Sequence, residues 1–191
     1  IMGENGSGKS SLLKCLSGLL DYSGSIIFGD EKEKRIAYIP QNPATPIGMT
    51  VSEFVLLGRT AHFNWLKGET EADLNSCKSA IESVSLSLLK NRYVDSLSGG
   101  EMQRAVLARA IAQQANVLIL DEPTSALDIK GQFNVLSLLK KLSNELFLTI
   151  VISLHDLAAA QHFTDEIILL KNGKIVNAGK TPIILSVSNL E

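Results

Sequence analysis

The sequence predicts an α/β fold, a mostly parallel sheet core flanked by helices, with a helical subdomain inserted over approximately residues 42–95. Three observations predict it. A glycine-rich loop, Gly3-Glu4-Asn5-Gly6-Ser7-Gly8-Lys9-Ser10, runs directly into helix-forming residues. After it, short apolar runs of strand character alternate with amphipathic helical stretches, the pattern of a layered parallel sheet. Between Asn42 and about Asp95 that alternation stops and only helical signals remain.

Taken in order, Ser11 to about Leu20 reads as the first helix. Ser25 to Gly29 and Arg35 to Ile39 read as strands, the second ended by Pro40. The charged run Asp30 to Arg35 reads as a solvated turn. In the helical stretch, Thr50 followed by Glu53, and Thr70 followed by Asp73, are helix starts with reciprocal caps. Leu74, Cys77, Ile81 and Val84 recur at helical spacing and predict one apolar face. Gly58 to Leu66, with His62, Phe63 and Trp65, reads as a surface loop. Ser98 to Gln114 is a helix entered through Ser98-Gly99-Gly100. Val117 to Leu120 is a wholly apolar run, as in a strand covered on both faces. Gly131 to Glu145 is helical with Phe133, Leu136, Leu139 and Leu142 on one side, and Phe147 to Ser153 is a strand. Asp156 to Phe163 is a short helix. Asn172-Gly173 between two apolar runs is a hairpin signal.

The 191 residues suffice for one domain carrying an insertion. A net charge of −2 gives no broad basic surface, which disfavours extended nucleic-acid contact. The longest apolar stretch, Phe147 to Leu154, is too short to span a bilayer. Cys15 and Cys77 fall on apolar helix faces and read as free thiols.

The chemistry starts at the glycine-rich loop. Its pattern, Gly-x-x-x-x-Gly-Lys-Ser, is a phosphate cradle. Residues Gly3, Glu4, Asn5, Gly6, Ser7, Gly8, Lys9, Ser10 and Ser11 would hold a nucleotide by backbone N–H groups, the Lys9 charge and a helix N-terminus. The Ser10 hydroxyl is a candidate Mg²⁺ ligand. Such a cradle needs an acidic partner, and Asp121-Glu122 supplies it at the C-terminal end of the apolar run 117–120. Asp121 is placed on Mg²⁺, and Glu122 beside the attacking water.

Leu97-Ser98-Gly99-Gly100-Glu101-Met102-Gln103-Arg104 resembles the signature motif of ATP-binding cassette (ABC) ATPases, although Gln is commoner where Glu101 stands. Gln41 is similar to the family's Q-loop glutamine, Ser125-Ala126-Leu127-Asp128 to its D-loop, and His155 to its switch histidine. The marks stand in the family's order and cover essentially the whole chain. The resemblance implies a P-loop NTPase core with ATP and Mg²⁺ as ligands. It implies that Gln41 senses Mg²⁺ or the lytic water and that His155 holds that water with Glu122. It further implies that Ser98, Gly99 and Gly100 close over ATP bound by a second copy of the chain, with Asp128 organising the contact.

A single cassette and a compact Gln41–Ser98 spacing argue for a transport subunit. Met49 to Arg59, with His62 and Trp65-Leu66, looks like the importer branch for ferric siderophores, haem and vitamin B12. That branch implies transmembrane permease subunits as partners, a substrate-binding protein acting indirectly, no nucleic acid, and a peripheral place on the cytoplasmic face of the membrane. Gly58 to Leu66 is then the candidate docking segment. A cassette ATPase acting on nucleic acid or ribosomes, and a binding-only fragment, stay open as alternatives. Because Ile1-Met2 is only the tip of the strand expected before Gly3, the chain reads as N-terminally truncated or as having a misassigned start; the resemblance implies that the family's adenine-stacking aromatic residue is missing with that strand.

Overall fold

A computed structural model describes residues 1–28, 35–62 and 68–186. Six strands are ordered along the chain as β1 (Met2–Gly3), β2 (Ile36–Ile39), β3 (Val117–Leu120), β4 (Thr149–Ile152), β5 (Glu166–Lys171) and β6 (Lys174–Lys180). The helices are α1 (Lys9–Leu16), α2 (Val51–Leu56), α3 (Glu71–Ser83), α4 (Gly99–Ala112), α5 (Ile129–Leu146), α6 (Leu157–Phe163) and α7 (Thr181–Ile184).

Strands β2, β3 and β4 pair in parallel, and β1 pairs in parallel with β5. Among the named strands of the described residues, the β5–β6 pair is the antiparallel one. The two three-stranded sheets continue into each other through Ile1. Its amino group donates to the Ile152 carbonyl, and its own carbonyl accepts from the Leu154 N–H. The carboxyl ends of β1, β3 and β4 therefore lie side by side, the place where open α/β sheets bind ligands.

β3 explains why its run is apolar throughout. Leu118 and Leu120 belong to the large core built with α2, α3, α4 and α5, whereas Val117 and Ile119 pack with Leu13 of α1. A strand covered on both faces has no use for a polar alternate position. Between β2 and α4 the named elements of the described chain are helices joined by irregular segments. Its two ends are clasped at Thr50 and Tyr93 and by bonds from Val51 N–H to Arg92 and from Val94 N–H to Met49. Both expected reciprocal caps form, Thr50 with Glu53 and Thr70 with Asp73.

Several expectations are corrected. No strand forms over residues 25–28, and Gly29 with most of the charged run lies outside the described residues. Among the described residues, 25–28 belong to no named strand, and Ile27 is 86% exposed. Helix α1 stops at Leu16 rather than Leu20, because Gly18 and Leu19 N–H groups turn back onto the Cys15 and Lys14 carbonyls. Leu74 is exposed rather than on the buried face of α3. The buried arc there runs through Asp73, Cys77, Ala80 and Ile81, drawn round by the ion pair of Asp73 with Arg59. Phe133 is half-exposed and packs on the His162 and Phe163 rings instead of the core. Cys77 is buried as expected, its thiol pushed up to about 11 mainly by burial; Cys15 is only half-buried.

Candidate active site

The phosphate loop leaves β1 at Gly3 and ends at the N-terminus of α1. A Cβ on Gly3 would lie 2.3 Å from the Leu170 carbonyl oxygen, so only glycine lets β1 approach β5 there. Gly8, the residue before α1, has φ 99°, a left-handed backbone that β-carbon-bearing residues avoid. The loop bounds a cavity of about 200 Å³ lined by Asn5, Gly6, Gly8, Lys9, Ser10, Ser11 and Glu122. The Lys9 ammonium donates to the Gly3 and Glu4 carbonyls at 2.9 and 3.1 Å and lies 3.9 Å from Glu122 Oε1. The Ser10 hydroxyl makes no hydrogen bond among the described residues, so its oxygen is available to a ligand.

The acidic pair follows β3. Glu122 has φ 45°, a strained value for a residue other than glycine, and clusters of such strain occur at functional sites. The strain is held in place by the residue that follows β4: Glu122 N–H donates to Ser153 Oγ at 2.7 Å, and Ser153 Oγ donates to Asp121 Oδ1 at 2.9 Å. Ser153 is fully buried. Tyr38 of β2 reaches the other carboxylate oxygen of Asp121 at 3.4 Å. Burial, and next the charge of Asp121, pushes the Tyr38 phenol up to about 12, so it remains a donor at any working pH.

The Glu122 side chain is the meeting point. Gln41 Nε2 donates to its Oε2 at 2.7 Å, and His155 Nε2 bonds its Oε1. Gln41 also lies 3.5 Å from the Ser125 hydroxyl. Lys9, Gln41, Asp121, Glu122 and His155, five residues spread from position 9 to 155, thus converge at the carboxyl ends of the strands. Ser98, Gly99, Gly100 and Asp128 do not join them by any hydrogen bond or ion pair among the described residues. Ser98 caps α4 in a reciprocal arrangement with Glu101, whose carboxyl is held below its usual range chiefly by the Ser98 N–H. Asp128 caps α5 by accepting from Gly131 N–H at 2.8 Å.

Sequence reasoning passed over Ser153, Tyr38 and Ser125 as site residues. One signal for Ser153 was in view: it is a hydroxyl directly after the apolar run Ile150-Val151-Ile152, two residues before His155. The residues present fit the expected ligands. A polyphosphate meets a glycine cradle, a buried ammonium and a helix N-terminus. Mg²⁺ takes oxygen donors, often one or two from protein with the remainder from phosphate and water, which suits Ser10 and Asp121.

The ABC transporter family profile matches residues 1–125. This chain belongs to the ABC transporter family. It is 38% identical to the petrobactin import ATP-binding protein FpuC of Bacillus anthracis, over 92% of this chain and 68% of that protein. It is also 38% identical to the achromobactin transport ATP-binding protein CbrD of Dickeya dadantii, over 90% of this chain and 68% of that protein. Among solved structures, it superposes with TM-score 0.88 and 34% identity on a transporter described as an ABC transporter of the metal-chelate type in an inward-facing conformation, over all of this chain and 75% of that one. The dimeric ABC transporter cassette MJ0796 superposes with TM-score 0.76 and 28% identity, over 94% of this chain. The chain is thus an ABC-type ATPase domain with a P-loop NTPase fold. No helix among the described residues is long and apolar enough to cross a membrane.

Proposed function

We propose that this chain is the ATP-hydrolysing subunit of an importer for a metal chelate, such as a ferric siderophore, haem or cobalamin. The observation that carries the reading is the Glu122 carboxylate. It is gripped by Gln41 and His155 beside Lys9 at the mouth of the phosphate cradle. The relatives named for petrobactin and achromobactin transport support the substrate class.

In this reading the phosphates lie along Gly6 to Ser11, and Lys9 turns from the loop carbonyls to the β- and γ-phosphates. Ser10 and Asp121 would hold Mg²⁺, which would neutralise charge on the phosphate oxygens, with Gln41, bonded to Glu122, as a third candidate ligand. Glu122 takes up a proton from the attacking water, and His155 keeps the carboxylate aimed. Gln41 links this centre to the helical subdomain at about 42–95, which receives the permease through Gly58 to Leu66. Of that docking segment, Gly58 to His62 are described, as a tight 3₁₀ turn in which Gly58 and Arg59 are buried, so the exposed part of the expected surface loop starts at Thr60; Phe63 to Leu66 lie outside the described residues. A second copy completes each site with Ser98, Gly99, Gly100 and Asp128, and the pair sits peripherally on the cytoplasmic face beneath the permease.

Glu122→Gln keeps the shape and removes the base. Phosphate release at saturating ATP is expected to fall on the order of 100-fold or more while fluorescent-nucleotide binding stays within about twofold. Wild-type turnover by that variant would remove Glu122 from this role.

A further inference from the structure

The β5–β6 hairpin ends against the phosphate loop, and no step above uses it. Asn172 and Gly173 both have positive φ, 51° and 74°, and the flanking pair is Lys171 with Lys174. This is a two-residue hairpin turn, whose central N–H groups take no part in the strand ladder. One of them is spent on the loop: Gly173 N–H donates to the Ser7 carbonyl at 3.0 Å. The backbones meet closely there, since a Cβ on Gly8 would stand 3.6 Å from Gly173 Cα. Ser7 itself is buried, and its N–H closes back on the Glu4 carbonyl.

The consequence follows from the planarity of the peptide. In a trans peptide the carbonyl of one residue and the N–H of the next point in opposite directions. Fixing the Ser7 carbonyl on the hairpin therefore turns the Gly8 N–H away from it, and Gly8 lines the phosphate cavity. The neighbouring glycines leave this peptide otherwise easy to rotate. At the other end of the loop, Gly3 is pinned against Leu170 of the same hairpin.

We propose that the Asn172-Gly173 turn is a positioning element for nucleotide binding: it sets the orientation of the Ser7–Gly8 peptide and so aims a phosphate donor. This rests on the nucleotide reading of the loop. The test uses the whole chain with one glycine inserted between Asn172 and Gly173, which shifts the donor off the Ser7 carbonyl. Gly173→Asn is the control, because it keeps the N–H and tolerates positive φ, and space around Gly173 is open.

In the insertion variant, amide hydrogen exchange at residues 6–9 of the nucleotide-free protein is expected to quicken, with the melting temperature retained. ATP binding should weaken about tenfold, the loss of one well-aimed charge-assisted donor, while turnover at saturating ATP stays within about twofold. Gly173→Asn should match wild type in all three. Unchanged exchange and unchanged ATP affinity in the folded insertion variant would overturn the proposal, as would an equal loss in binding and turnover. If wild type itself fails to bind ATP, the nucleotide reading falls, and the exchange measurement still decides whether the turn orders the loop.

Discussion

Two regions of this chain carry the family's marks, and they are built in opposite ways. The phosphate half draws on β1, β2, β3 and β4, and its side chains are bonded to one another across the sheet: Gln41 and His155 to Glu122, Ser153 and Tyr38 to Asp121. The signature half consists of short local stretches in which, among the described residues, Ser98 and Asp128 bond only to near neighbours. Ser98 is tied to Glu101, and Asp128 to Gly131. The first half is a network of side-chain bonds that spans the sheet within one molecule. The second presents mainly a helix start and backbone N–H groups, which is what a surface needs if its ligand arrives on another copy. Long-range bonding thus separates the half proposed to act in its own chain from the half proposed to act on another copy.

The largest expected effect that probes this contrast lies at the far end of the signature helix. Arg59 Nε pairs with Asp73 at 2.9 Å and Arg59 Nη1 donates to the Ala112 carbonyl at 2.9 Å, both side chains buried. The pair anchors the last turn of α4, whose first turn carries Ser98 to Gly100. Arg59→Ala strands a buried carboxylate and should lower the melting temperature by on the order of 10 °C in a thermal scan. The Thr70 hydroxyl, and next Arg59, holds the Asp73 carboxyl down to about 2, below its ordinary 3.8. Its depressed value means the contribution is full above that ordinary value and lost as pH falls towards 2. The stability gap between wild type and Asp73→Asn should therefore be constant near neutrality and close in that acid window. A gap independent of pH would show that the carboxylate charge is not what anchors α4.

A smaller effect is expected from Ser153→Ala in the phosphate half. It leaves Asp121 Oδ1 and the Glu122 N–H without their shared partner, worth about 1–3 kcal/mol. Turnover should drop on the order of tenfold, with little change at the signature half. Equal effects of Ser153→Ala and Ser98→Ala on nucleotide affinity would erase the distinction between the two regions.

How much was legible beforehand follows the same division. The phosphate loop, both reciprocal caps, β3 and the β5–β6 hairpin were readable because a few adjacent residues dictate each. Asp121, Glu122 and His155 were readable because they sit where strands must end. Ser153 was not singled out, because its worth lies in two bonds to residues 31 and 32 positions away. The buried face of α3 was misjudged at Leu74 because periodicity does not register that Asp73 is pulled inward by Arg59. The strand expected at 25–29 does not form over its described residues 25–28, and the run's own composition could not reveal that. Local chemistry is written in local sequence; pairing across the sheet is not.

The central claim, that each site joins the loop of one copy to the signature of another, has a direct test by mixing two inactive chains. Lys9→Ala disables the loop. Gly100→Asp disables the signature, with room in the fold for the new side chain. Each variant alone should lose nearly all turnover. Mixed in equal amounts, they form some dimers in which one intact loop faces one intact signature, and about a quarter of wild-type turnover should return under two-fold pairing. No recovery from two variants that each remain folded and dimeric would contradict the claim.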